Sequence, residues 1–193
     1  MNSALTFTGS PYTSFMHETK VTLSNGIELH VEIGGQPEHP AIMLIMGLGA
    51  QLLFWPDFFC KSLIDQGYRV IRFDNRDIGL SSKIRHSGPR LNTFKLMGRF
   101  ALGLENQGAP YNLYDMAEDA ALLIDHLELD NVSVLGASMG GMIAQILAAK
   151  HPQKVSNLGL MFTSNNQPLL PPPFPKQLLS LIGKPESTDE DGI

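Results

Sequence analysis

Val132-Ser133-Val134-Leu135-Gly136-Ala137-Ser138-Met139-Gly140-Gly141 is the stretch from which the fold can be worked out. Its first four residues form a short apolar run, and an apolar pattern at helical spacing continues from Met139 to Lys150. The order is strand, sharp turn, helix, with a serine at the apex. Gly136, Ser138 and Gly140 fit a G-x-S-x-G spacing whose reason is mechanical. The turn holds the serine in a strained backbone, and the glycines let strand and helix approach closely. The hydroxyl then stands clear of the backbone, where a base can reach it. The spacing alone is a weak signal; the strand before it and the helix after it make it more specific.

Working outward, the same alternation of strand and helix recurs. Lys20 to Leu23 and Ile27 to Ile33 are strand-like runs joined by Ser24-Asn25-Gly26, a hairpin signal. Leu29, Val31 and Ile33 alternate with Glu28, His30 and Glu32, which predicts one wet face. Ala41 to Ile45 is continuously apolar, as expected of a strand covered on both faces, and Tyr68 to Phe73 reads as another buried strand. Phe54 to Gln66 reads as a helix ending at Gly67, and Asn112 to Leu127 as an amphipathic helix. Phe94 to Leu104 is read as helical, Pro152 closes the helix after Ser138, and Val155 to Phe162 is a last strand. The expectation is an α/β fold: a mostly parallel sheet with an N-terminal antiparallel hairpin and flanking helices. Sites in such sheets lie at the carboxyl ends of strands. Met46 to Ala50, Asp74 to Ser82 and the Ser138 turn all fall there.

Composition narrows the function classes. The chain has 193 residues, 43% hydrophobic and 17% charged, enough apolar side chains for a sizeable core. A net charge of −5 with no basic stripe argues against nucleic-acid binding. The longest apolar run, Ala41 to Met46, is too short to span a membrane, and Met1 to Phe15 lacks a secretory pattern. The one cysteine, Cys60, lies among Phe58, Phe59 and Leu63 and reads as a buried structural thiol; a reducing, cytoplasmic setting fits. No histidine pair has metal-ligand spacing. Pro168 to Pro175 and the acidic tail from Pro185 to Gly192 are the clear composition shifts. They divide the chain into residues 1–164, a core, and 165–193, a cap or lid start or a disordered tail.

Three segments in order resemble the α/β-hydrolase family: Met46-Gly47-Leu48-Gly49, Asp74-Asn75-Arg76-Asp77-Ile78-Gly79-Leu80-Ser81-Ser82, and the Ser138 turn. The resemblance covers roughly Val21 to Ser164, and the Ser-Met-Gly-Gly ending and the Asn-Arg-Asp loop are most similar to the small-molecule esterase, cofactor-free haloperoxidase-like and methylesterase branch. The resemblance implies that Ser138 is a nucleophile and that the backbone N–H groups of Leu48 and Met139 hold an oxyanion, with Gly47, Gly49, Gly136 and Gly140 supporting the turns. Met46 stands where a histidine often opens the oxyanion loop; the donor is a backbone group, so the site need not be lost. Plainer readings stand beside these. Gly47 and Gly49 can simply permit a tight turn, and the Asp74 loop reads as structural, its charges pairing to hold the loop. Phe54 and Trp55 line an acyl pocket or pack in the core, and the Met139 side chain does either.

A serine hydroxyl needs a base, and the base an orienting group. The family's chain order is serine, acid, histidine. After Ser138 only His151 follows, at the far end of a helix about 18 Å long. His17, His30, His39, His86 and His126 precede the serine. The expectation is an incomplete α/β-hydrolase fold, C-terminally truncated, that leaves an apolar sheet edge near Val155 to Phe162 prone to self-association or to pairing with the missing part. The implied function is a serine hydrolase of carboxylic esters or related small acyl substrates, inactive as this piece alone, with no cofactor or metal. Acyl transfer, C–C bond hydrolysis and perhydrolysis use the same serine. A non-catalytic binding module with the hydrolase fold is the reading from another class.

Overall fold

A computed structural model describes residues 15–84 and 110–165. The expected helix at Phe94 to Leu104, His86, the Pro168 to Pro175 segment and the acidic tail lie outside the described residues.

Strands β1 (Met16–Thr22) and β2 (Glu28–Gly34) form the expected hairpin. β3 (Ala41–Ile45) follows, then a 3-10 turn at Leu52–Phe54 and helix α1 (Asp57–Asp65). The expected single helix from Phe54 is thus split: Pro56 sits in extended backbone as the N-cap of α1, where its missing N–H costs nothing. β4 (Arg69–Phe73), helix α2 (Leu113–His126), β5 (Val132–Ala137), helix α3 (Met139–Lys150) and β6 (Val155–Met161) complete the order. α2 starts where a capping box fixes it: Asn112 Oδ1 accepts from the N–H groups of Tyr114 and Asp115, and Asp115 Oδ2 accepts from Asn112 N–H.

The six strands make one sheet in the order β1-β2-β4-β3-β5-β6. The pairs β1–β2 and β2–β4 are antiparallel; β4–β3, β3–β5 and β5–β6 are parallel. Successive residues of β3 serve opposite faces. Met43 and Ile45 join the cluster built with α2 and α3 (Met116, Ala120, Leu123, Ile143, Leu147), while Leu44 joins Val70, Trp55 and Cys60 on the α1 side. Helices therefore cover both faces of the central strands, which is why those strands carry nearly unbroken apolar runs.

The wet face expected on β2 is a correction. His30 and Glu32 are each only 6% exposed. β2 lies between β1 and β4, and its polar residues are closed over by partners of opposite charge. Arg72, directly across the ladder, donates to Glu32 Oε2 through Nε at 2.9 Å and Nη2 at 2.6 Å, and Nη2 also reaches Asp57 at 2.8 Å. His30 bridges Glu18 Oε1 at 2.9 Å and Asp74 Oδ2 at 3.0 Å. Period-2 polarity marks a polar face, and ion pairing lets that face be buried.

At the other end of the sheet, β6 is bonded to β5, and among the described residues no strand lies beyond it. Leu158, Leu160, Met161 and Phe162 are 39%, 45%, 37% and 90% exposed, so the last strand presents apolar side chains to solvent. Among the described residues no helix is long and apolar enough to cross a membrane.

Candidate active site

Ser138 sits between the last residue of β5 and the first of α3, exposed, with φ 54° and ψ −123°. This conformation costs a non-glycine residue on the order of 1–3 kcal/mol and persists only where the surroundings dictate it. Here they do. Ser138 N–H donates to Met161 O at 2.8 Å, and Ser138 O accepts from Gly141 N–H at 3.0 Å and from Thr163 Oγ1 at 2.7 Å. A Cβ on Gly136 would overlap the Gly140 carbonyl, and one on Gly140 would overlap the carbonyl of Ile45. Strand β5, helix α3 and the end of β3 therefore meet backbone to backbone, and a larger residue at either glycine would push them apart.

The 46–49 segment lies beside this turn. A Cβ built on Gly47 would stand 3.0 Å from Ser138 Cβ and 3.3 Å from Ser138 Oγ. Gly49 has φ 71° with nothing within 4 Å of its Cβ position, so it serves the bend and not a close approach. Leu48, between them, is 77% exposed. Met139 opens α3, where first-turn N–H groups have no carbonyl within the helix. Its side chain packs against the core on the α2–α3 side, which settles the two readings of that residue in favour of packing.

A cleft of about 420 Å³ opens at Ser138. Phe54, Trp55, Phe58, Phe59 and Phe162 give it an aromatic wall, and none of its lining residues is charged. Trp55 and Phe59 stack with ring centres 5.8 Å apart. Phe54 and Trp55 both line the cleft, but Trp55 is also 4% exposed and part of the core, so for it both readings hold.

The Asp74 loop is a structural hub. Asp74 Oδ1 accepts Leu52 N–H at 2.7 Å; Oδ2 accepts Leu80 N–H and the His30 ring at 3.0 Å each. Burial favours the neutral carboxyl, but the His30 hydrogen bond and the Leu52 and Leu80 amides outweigh it and hold the pKa below 3.8. For His30, burial opposes the charge, and Asp74 first and Glu18 second overcome it, leaving the pKa above 6.5. Arg76 pairs across to α2, its Nε and Nη2 each 2.6 Å from Asp119, so the loop's charges reach beyond the loop itself.

The other candidate groups are accounted for by packing. His151 caps the end of α3 and meets Glu118 Oε2 at 3.0 Å; His126 ends α2. Cys60 is buried, and desolvation pushes its thiol up despite Arg72 nearby. Among the described residues no three His, Cys, Asp or Glu side chains come together as a metal site. Sequence reasoning did not single out Asn75, whose Nδ2 donates to Met46 O at 2.9 Å, nor Thr163 beneath the serine turn. A polar residue just past a strand's carboxyl end is the signal that points to the first.

With this geometry in place, comparison with known proteins is informative. The profile of the alpha/beta hydrolase fold matches residues 40–184, and the chain belongs to that family. It is 30% identical over 143 residues to rhodomycin D methylesterase DnrP of Streptomyces peucetius, covering 74% of this chain and 41% of the relative. It is 28% identical over 167 residues to 2-hydroxy-6-oxononadienedioate/2-hydroxy-6-oxononatrienedioate hydrolase of Cupriavidus pinatubonensis, covering 84% of this chain and 50% of the relative. A solved hydrolase from Pseudomonas aeruginosa PA01 superposes with a TM-score of 0.59 at 29% identity, over 76% of this chain and 46% of that one. The chain thus spans between two-fifths and half the length of these relatives.

Proposed function

We propose that this chain carries the nucleophile and the two oxyanion-holding amides of a serine hydrolase that cleaves carboxylic esters or related small acyl compounds. One observation carries the reading: the strained Ser138 turn opens into an apolar cleft with Gly47 against its hydroxyl. In the proposed reaction Ser138 Oγ attacks the substrate carbonyl and its proton passes to a histidine. The oxygen that gains charge lies between the N–H groups of Leu48 and Met139. The amide at the start of α3 adds the favourable field of a helix N-terminus. Such preorganised donors are usually the largest single catalytic contribution, each worth on the order of 100- to 1000-fold. The histidine gives that proton to the departing alcohol; water, losing a proton to the same histidine, then attacks the acyl-serine, and the acid leaves as the proton returns to Ser138 Oγ.

The histidine and its acid partner are proposed to come from outside these residues. The described histidines are engaged elsewhere or stand off the cleft wall, and the relatives extend over about twice the matched length or more. The apolar wall favours an uncharged acyl or alcohol group, in keeping with the methylesterase among the relatives. Acyl transfer, C–C bond hydrolysis and perhydrolysis start from the same attack and are separated by product analysis with competing alcohols or peroxide.

A fluorophosphonate probe tests the reading on the protein that carries this chain. Ser138 is expected to be labelled, with labelling lost and ester turnover reduced by about 10⁴-fold or more in Ser138→Ala. Labelling that survives Ser138→Ala would reject Ser138 as the nucleophile.

A further inference from the structure

The Leu48 amide must be aimed, yet little holds the residue that carries it. Leu48 is exposed, Gly47 and Gly49 flank it, and the turn's own Ala50 N–H to Gly47 O bond is long at 3.4 Å. Both ends of the segment are tied to one place. Asn75 Nδ2 donates to Met46 O at 2.9 Å, just before Gly47, and Asp74 Oδ1 accepts Leu52 N–H at 2.7 Å, just after the bend. The two side chains are adjacent in sequence, each 2% exposed, and themselves fixed. Asp74 is held by His30 and Leu80, its carbonyl by Ser81 Oγ at 2.7 Å, and Asn75 O accepts Ile78 N–H at 3.0 Å.

We propose that Asp74 and Asn75 are positioning residues for the site: a two-point clamp that sets where the Leu48 N–H points. Neither lines the cleft, so neither touches substrate; they act through the backbone of residues 46–52. The proposal rests on the reading of Leu48 N–H as an oxyanion donor. A donor displaced by about an ångström loses most of its effect on a developing charge while leaving ground-state binding intact.

The test compares Asn75→Ala, Asp74→Ala and Asp74→Asn in the protein that carries this chain. It uses ester kinetics, inhibition by a trifluoromethyl ketone, which forms a tetrahedral oxyanion on serine, and melting curves. Folded Asn75→Ala is expected to lose about 10- to 100-fold in kcat with KM within about threefold, and to bind the ketone more weakly by the same factor. Asp74→Asn keeps an oxygen for Leu52 N–H and is expected to retain at least tenfold more activity than Asp74→Ala. Wild-type kcat and ketone affinity in folded Asn75→Ala would overturn the clamp. Should Asn75→Ala fail to fold, equal activity in the two Asp74 variants would overturn it instead. A wild-type protein that reacts with the fluorophosphonate at a residue other than Ser138 overturns the site reading, an outcome distinct from loss of the clamp alone.

Discussion

The two segments that meet at the cleft are held in place by opposite means. The Ser138 turn is fixed by packing: glycine against carbonyl at Gly136 and Gly140, a strained φ, and the bonds from Met161 and Thr163 at its base. The 46–52 segment is fixed by polar side chains reaching in from Asp74 and Asn75 while its middle stays exposed. Ser138, the proposed nucleophile, thus has an over-determined mount. The middle of the neighbouring loop, Gly47 to Gly49, has no side chain that packs, although Met46 and Leu52 at its ends do, so the order of that middle is imported from the next strand's end. Damage to the two should therefore differ in kind, with loss of stability at the first and loss of rate at the second.

That contrast can be broken in steps. Gly140→Ala drives a methyl group into the Ile45 carbonyl and is expected to cost about 3 kcal/mol, read as a lowered urea midpoint. Gly49→Ala meets no atom and pays only for its φ of 71°, about 1–2 kcal/mol. Equal costs would mean that the serine turn is not packed as described. The gentlest probe is pH. Asp74, with its pKa below 3.8, stabilises the fold above that value, and the contribution is lost as pH falls through its lowered folded pKa. His30, with its pKa above 6.5, contributes fully below 6.5, and the contribution is lost as pH rises through its raised folded pKa. Glu18 from β1 and Asp74 pair with His30, while Lys20, its cross-strand neighbour on β1, pairs with Glu28. The difference in melting temperature between the protein and His30→Gln should therefore be largest near pH 5–6 and shrink toward pH 9. A difference that is flat with pH would contradict the charged bridge.

Much of the architecture was legible because it follows from spacing. The Asn25-Gly26 hairpin, the apolar run of β3 and the serine turn each rest on a local rule that tertiary context did not override. β2 departs from the wet face that its alternation predicts. Alternation tells which residues share a face, but whether that face is wet depends on Arg72, Glu18 and Asp74, which come from other strands and loops. The helix expected from Phe54 is interrupted because Pro56 keeps Trp55 ahead of it in extended backbone, so the helix begins only at Asp57. At the candidate site, the turn at Ser138 is legible from its flanking glycines. The Asn75 tether is less so: its place just past a strand's end hints at it, but the bond goes to a carbonyl 29 positions away, and no periodicity encodes that.

The most direct measurement is a crystal structure of the fluorophosphonate adduct of the protein that carries this chain. Phosphorus is expected on Ser138 Oγ, with the phosphoryl oxygen within about 2.7–3.1 Å of both the Leu48 and Met139 nitrogens. An adduct whose oxygen turns away from these two amides, or phosphorus bonded to any other residue, would contradict the account.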